Sequence, residues 1–163
     1  MVRNSKFFDQ YERVIRYYHR LEDIKNGKDI GPGTLYCHDT VLAFFMNCHH
    51  LKDWLLNDKE IPEESKGDVI AFIKKNSCLR HCADIANGAK HLTLDRPHCD
   101  YPIDKDYRRF ALSLDEEGKI KNIRIFFLIG ENEVDTFELA TECIQKWSEY
   151  VLKIQNFSSS DKT

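Results

Sequence analysis

Apolar residues recur along the first part of the chain at three- and four-residue intervals, the spacing of a helix that buries one face. Phe7, Phe8, Tyr11, Val14, Ile15, Tyr18, Leu21 and Ile24 make one such stripe and predict a helix from about Ser5 to Lys25, stopped by Asn26-Gly27. After a loop at Gly31-Pro32-Gly33, a second stripe of Val41, Phe44, Phe45, Cys48, Leu51 and Leu55 predicts a helix that starts near Asp39 or Thr40 and ends near Asn57-Asp58. Pro62 suits the first position of a third, shorter helix with Val69, Ile70, Phe72 and Ile73 on its core side. Ser77 either caps a fourth helix, Cys78 to about Leu92, or sits at a bend between the two.

The pattern changes after Pro97. Tyr107 to Leu114 and Ile120 to Ile129 are rich in β-forming and aromatic residues, and Asp115-Glu116-Glu117-Gly118 between them suits a turn closed by a glycine bulge. The second of these strands is apolar on both faces and needs cover on more than one side, from helices or from a partner chain. Asp135-Thr136-Phe137-Glu138 reads as a capped helix start, and Phe137, Ala140, Cys143, Ile144, Trp147, Val151 and Ile154 carry that helix to about Gln155. The expected fold is mainly α: a four- to five-helix antiparallel bundle with one β-hairpin (about 107–129) inserted before the C-terminal helix. Residues 1–157 form a single domain and 158–163 a disordered tail.

Composition narrows the class. The chain has 163 residues, 42% hydrophobic and 31% charged, with a formal net charge of −3. That is the balance of a globular domain large enough to bury a core. No secretory leader and no membrane-length apolar run is legible, so a cytoplasmic protein with no membrane partner is expected. Of six cysteines, Cys48, Cys78, Cys82 and Cys143 fall on apolar helix faces, where a free thiol behaves as a small hydrophobe. No pair of Cys-x-x-Cys knuckles occurs, and neither a metal nor a cofactor is expected. Walker-type phosphate loops, G-x-S-x-G elbows and dinucleotide fingerprints are also missing from the sequence.

The segment from Leu79 to Leu92 is the richest in chemistry. On a helix, Arg80, Asp84, Asn87 and His91 fall within an arc of about 60°. They combine a fixed cation, a carboxylate, an amide and a group that titrates near neutrality. One reading is a structural network locking this helix to a neighbour. The other is phosphodiester chemistry on RNA: His91 moves a proton, Arg80 stabilises phosphate charge, Asn87 orients it, and Asp84 fixes an adjacent histidine or arginine. A third reading places His49 and Asp53 with Asp84 and His91 as a carboxylate–histidine metal site. Arg13, Arg16 and Arg20, with Lys90, are the candidate phosphate contacts, although Asp9, Glu12 and Glu22 among them also fit a solvated, ion-paired face.

With Arg80, Asn87 and His91 on one late helix of a small helical chain, the sequence resembles the HEPN family, helical bundles found in bacterial toxin and antiviral defence systems. That resemblance implies a metal-independent endoribonuclease, or an RNA-binding domain, whose site is usually built across a homodimer from an arginine and a histidine four to six residues later. Here ten residues separate Arg80 from His91, while Arg13 and His19 on the first helix have five between them. The expected partners are RNA, a second copy of the chain, and a protein docked on the apolar hairpin. The rival classes are a non-catalytic interaction domain and a bundle that binds a small molecule or metal.

Overall fold

The computed structural model describes residues 5–90, 97–99 and 103–160. The chain is mainly helical, with a small antiparallel sheet before its last helix. Its elements are α1 (Lys6–Lys25), α2 (Thr34–Asn57), the single turn α3 (Glu63–Lys66), α4 (Val69–Lys75), α5 (Ser77–Lys90), β1 (Ile103–Leu114), β2 (Ile120–Ile129), β3 (Asn132–Asp135) and α6 (Thr136–Ser160). No helix among the described residues is long and apolar enough to cross a membrane.

The start of α1 is set by its own cap and by the end of α2. Ser5 Oγ accepts from the Phe8 amide at 3.4 Å, and the buried Asp58 carboxylate, just beyond α2, accepts from Ser5 Oγ and the Phe7 amide, each at 2.8 Å. The two helices therefore run antiparallel. Midway along them Gln10, also buried, donates to the Asn47 carbonyl (3.0 Å) and its side-chain oxygen (3.2 Å), so the one polar residue on the buried stripe of α1 is satisfied.

Helix α2 begins at Thr34, earlier than the expected Asp39 or Thr40, with Gly33 as its cap. The Thr40 hydroxyl donates back to the Tyr36 carbonyl at 2.8 Å, the in-helix alternative to capping. Cys37 and His38 are buried in the added turn. The expected third helix is two pieces: Gly67 takes φ 59° and ends α3, and Asp68 caps α4 by accepting from the Ala71 amide at 2.8 Å. Ser77 is the first residue of α5, whose described part ends at Lys90. The last helix runs to Ser160, past the expected end near Gln155; 161–163 lie outside the described residues.

In place of one hairpin the sheet has three strands in the order β1-β2-β3. The expected turn is present: Asp115 Oδ1 accepts from the amides of Glu117 and Lys119 at 2.9 and 2.8 Å, and Gly118 has φ 78°. A second tight turn at Gly130-Glu131 adds β3, pairing Ile129 with Asn132 and Phe126 with Asp135. β2 is thus the central strand, which accounts for its two apolar faces. Ile123, Ile125 and Phe127 join the helical core, while Phe126 on the other face lies under the guanidinium groups of Arg109 and Arg124, 4.0 and 4.9 Å from its ring. Glu133 and Asp135 of β3 hold those arginines in place. Leu112 and Leu114 on the edge strand β1 stay exposed.

Asp135 caps α6 by accepting from the amides of Phe137 and Glu138. Helices α1, α2, α5 and α6 and the inner face of β2 share one core around Phe7, Phe44, Phe45, Leu51, Leu55 and Trp147.

Candidate functional site

Asp84 sits in the middle of α5 and is 2% exposed. Its carboxylate is turned toward the segment 97–99: Oδ1 accepts from the His98 amide at 2.7 Å and faces His98 Nδ1 at 3.0 Å, and Oδ2 accepts from the Cys99 amide at 2.9 Å. A buried carboxylate accepts hydrogen bonds, so the His98 ring donates through Nδ1, and in its neutral form keeps a lone pair on Nε2. The His98 side chain is 43% exposed. The pair therefore couples a shielded acid to a ring within reach of solvent.

Other groups surround this pair. The His49 ring on α2 stands edge-on to His98 with centroids 6.3 Å apart, and His50 follows 6.2 Å from His49. Burial, helped by the charge of Lys52, pushes the His49 pKa down to about 4, so this ring is neutral at physiological pH. Cys99 is held as a thiol: burial first, then the charge and hydrogen bond of Asp84, push its pKa up to about 11, against the opposing effect of Arg80. A thiol so held is a poor nucleophile. Arg80 is half-buried at the same end of α5 and donates from Nη1 to the Lys74 carbonyl at 2.5 Å.

Along α5 the expected row is thus divided. Asp84 is drawn under the 97–99 segment, Arg80 and Asn87 stay half-buried one turn to either side, and Lys90 is exposed at the end. His91 lies outside the described residues. His98, which carries the ring that Asp84 orients, was not singled out by the sequence. The only local signal was a histidine directly after Pro97 in a connecting segment.

On α1, Arg13 binds Gln10 Oε1 at 2.5 Å and lies 5.8 Å from the Trp54 ring centroid. Arg16 faces Glu12 at 4.0 Å, and Arg20 lies over Tyr17 at 4.7 Å. Trp54 and His50 are four residues apart on α2 and share a face. His50 in turn stands 6.2 Å from His49, whose ring meets that of His98. A cleft of about 550 Å³ lies further along α2, lined by Lys6, Asp53, Trp54, Asn57, Asp58, Lys59 and Glu60. Its acids and lysines largely offset one another, and Asp58 is already committed to the end of α1, so the chemistry concentrates at Asp84–His98 instead.

Among the described residues, His49, Asp53 and Asp84 do not gather as a metal site. One group of three ligating side chains does: Cys48, Cys82 and Cys143, whose sulfurs all lie within 4.8 Å of one another in the core. The neighbouring thiols of Cys143 and Cys82, outweighing burial, bring the Cys48 pKa down to about 5. The thiols of Cys82 and Cys143 are pushed well above the ordinary range, Cys82 chiefly by burial and Cys143 chiefly by its hydrogen bond to Cys48.

Comparison with protein-family models, curated proteins and solved structures finds no match for the chain.

Proposed function

We propose that this protein is a HEPN-like antiparallel helical bundle that binds RNA and cleaves it without a metal, with His98, held by Asp84, as the group that moves the proton. The observation that carries this reading is the 3.0 Å contact between the buried Asp84 carboxylate and the exposed His98 ring. A general base works when one ring nitrogen is held and the other meets substrate. His98 takes the part that the sequence suggested for His91.

RNA suits such a site because it supplies its own nucleophile. His98 Nε2 accepts the proton of a 2′-hydroxyl, whose oxygen attacks the adjacent phosphorus. The bond to the 5′-oxygen breaks, and the proton returns to that oxygen, leaving a 2′,3′-cyclic phosphate and a 5′-hydroxyl. No protein nucleophile is needed, in keeping with Cys99 held as a thiol. Arg80 and Asn87, on the same helix as Asp84, are assigned to the phosphate. Trp54 under Arg13 is a stacking platform for an unpaired base, and Arg16, Arg20 and Lys90 are further backbone contacts.

The test is cleavage of structured and single-stranded RNA by purified protein in the presence of a chelator, with product ends analysed. Wild type is expected to give 2′,3′-cyclic phosphate ends, and His98→Ala to lose about 100-fold or more in rate while remaining folded. A parallel His91→Ala variant separates the two histidines. Absence of cleavage by wild type, or equal rates for wild type and a folded His98→Ala, overturns the reading.

A further inference from the structure

We propose that Cys48, Cys82 and Cys143 form a buried structural site for one soft, thiophilic metal ion of the d10 type, zinc(II) or copper(I). The three residues are far apart in sequence and come from three helices, α2, α5 and α6. They are 0%, 1% and 0% exposed. Sulfurs bound to one metal at about 2.3 Å lie about 4 Å apart in trigonal or tetrahedral geometry. The observed limit of 4.8 Å needs only a small side-chain rotation to reach that. The donor set is sulfur alone, which excludes hard cations that require oxygen ligands and selects soft ones.

A second observation points the same way. The indole N–H of Trp147, 1% exposed and one turn beyond Cys143 on α6, is buried with no hydrogen-bond partner. It borders the Cys48 sulfur. An unpaired buried N–H is costly, and a metal-bound thiolate is an acceptor that satisfies it, as outer N–H donors do at thiolate centres. The sulfurs of Cys82 and Cys143 also lie within weak hydrogen-bonding distance, 3.4 Å each, of the carbonyl oxygens of Phe45 and Cys78. Metal binding replaces those weak bonds with metal–sulfur bonds.

Cys78 distinguishes the two ions. It is buried one turn before Cys82, its carbonyl accepts from the Cys143 sulfur at 3.4 Å, and its own sulfur lies outside the group of three. Four-coordinate zinc draws on it as a fourth ligand, whereas three-coordinate copper(I) does not. All these sulfurs are sealed in the core, so the ion enters as the chain folds and its binding energy adds to folding. This inference is independent of the RNA reading.

The experiment unfolds the full chain in guanidinium with reductant and chelator. It is then refolded with zinc(II), with copper(I) under anaerobic conditions, or with chelator alone. After desalting, bound metal, thiolate-to-metal charge-transfer absorption and melting temperature are measured. One ion retained per chain, with a rise of about 10 °C over the chelator sample, is expected. Cys143→Ala should abolish retention, while Cys37→Ser and Cys99→Ser leave it intact. Loss of zinc but not copper(I) in Cys78→Ser assigns the trigonal copper site; retention of zinc by wild type that Cys78→Ser loses, without copper retention, assigns zinc. Should a cysteine variant fail to fold, the wild-type comparison decides alone. Equal melting temperatures with and without metal, and no ion retained, overturn the proposal.

Discussion

The carboxylate of Asp84 and the ring of His98, fourteen positions apart in the chain, meet at 3.0 Å, and the same carboxylate takes up the backbone amides of His98 and Cys99. One side chain therefore anchors a connecting segment to α5 and orients a titratable ring. Replacing it tests both roles. Asp84→Ala strands two amide donors and the ring N–H against a buried surface, and should cost about 2–4 kcal/mol. Asp84→Asn keeps one acceptor oxygen and should cost about half as much. Denaturant midpoints at constant slope measure the difference.

Asp58 ties the end of α2 to the start of α1. Burial acts to raise its pKa, but hydrogen bonds from Phe7, Ser5 and Glu60 together outweigh this and hold it below the usual carboxylate value. The stability it contributes is present above the unfolded carboxylate pKa and is lost as pH falls through the lower folded value. The expected outcome is a downturn in stability below about pH 4. Asp58→Asn should flatten that part of the profile and lower the plateau, as followed by chemical denaturation across pH.

His49 acts in the same direction over a higher pH window. Its pKa is pushed down to about 4 in the folded protein, whereas the unfolded chain binds the proton near 6.5. Between those values the unfolded state holds more protons, so stability rises with pH and is lost on acidification from about 6.5 toward 4. The loss should reach up to about 3 kcal/mol. His49→Gln, which cannot titrate, should remove the slope in this window. Lys52, Asp53, His50 and His98 all face the ring, so the same comparison at raised salt shows how much of the shift is burial.

Gly27 closes α1 with φ +67°, and a Cβ there would stand 2.5 Å from the backbone oxygen of Ile120 at the start of β2. Gly27→Ala therefore meets both conformational strain and a backbone clash. Gly118, at φ +78° in the β1–β2 turn, has open space around it, so Gly118→Ala meets strain alone. The expected losses are about 1–2 kcal/mol for Gly118→Ala and at least twice that for Gly27→Ala. Melting temperatures should fall by roughly 2–4 °C per kcal/mol.

Legibility in the sequence followed the range of the forces involved. The stripe from Phe7 to Ile24 and the Asn26-Gly27 stop placed α1 to within a residue, because each signal involves neighbours a few positions apart. Asp135 as the cap of α6 and the turn at 115–118 were readable for the same reason. The start of α2 was not: a threonine hydroxyl serves equally as a cap or as a bond back to the preceding turn, and only packing of Cys37 and His38 decides for the longer helix. β3 was missed because four residues, Asn-Glu-Val-Asp, carry too little pattern to stand out.

What the chain determined by itself, then, was where it turns, where its helices begin and end, and which face of each is apolar. Tertiary packing decided which residues from separate stripes meet. Asp84 could be placed on the polar side of α5 from spacing alone, but its union with His98 depends on the path of the connection to β1. Cys48, Cys82 and Cys143 each looked like an ordinary small apolar residue on its own helix. Their convergence arises only when three helices close on one core, since helical periodicity sets the direction of a side chain and not the distance to its partner.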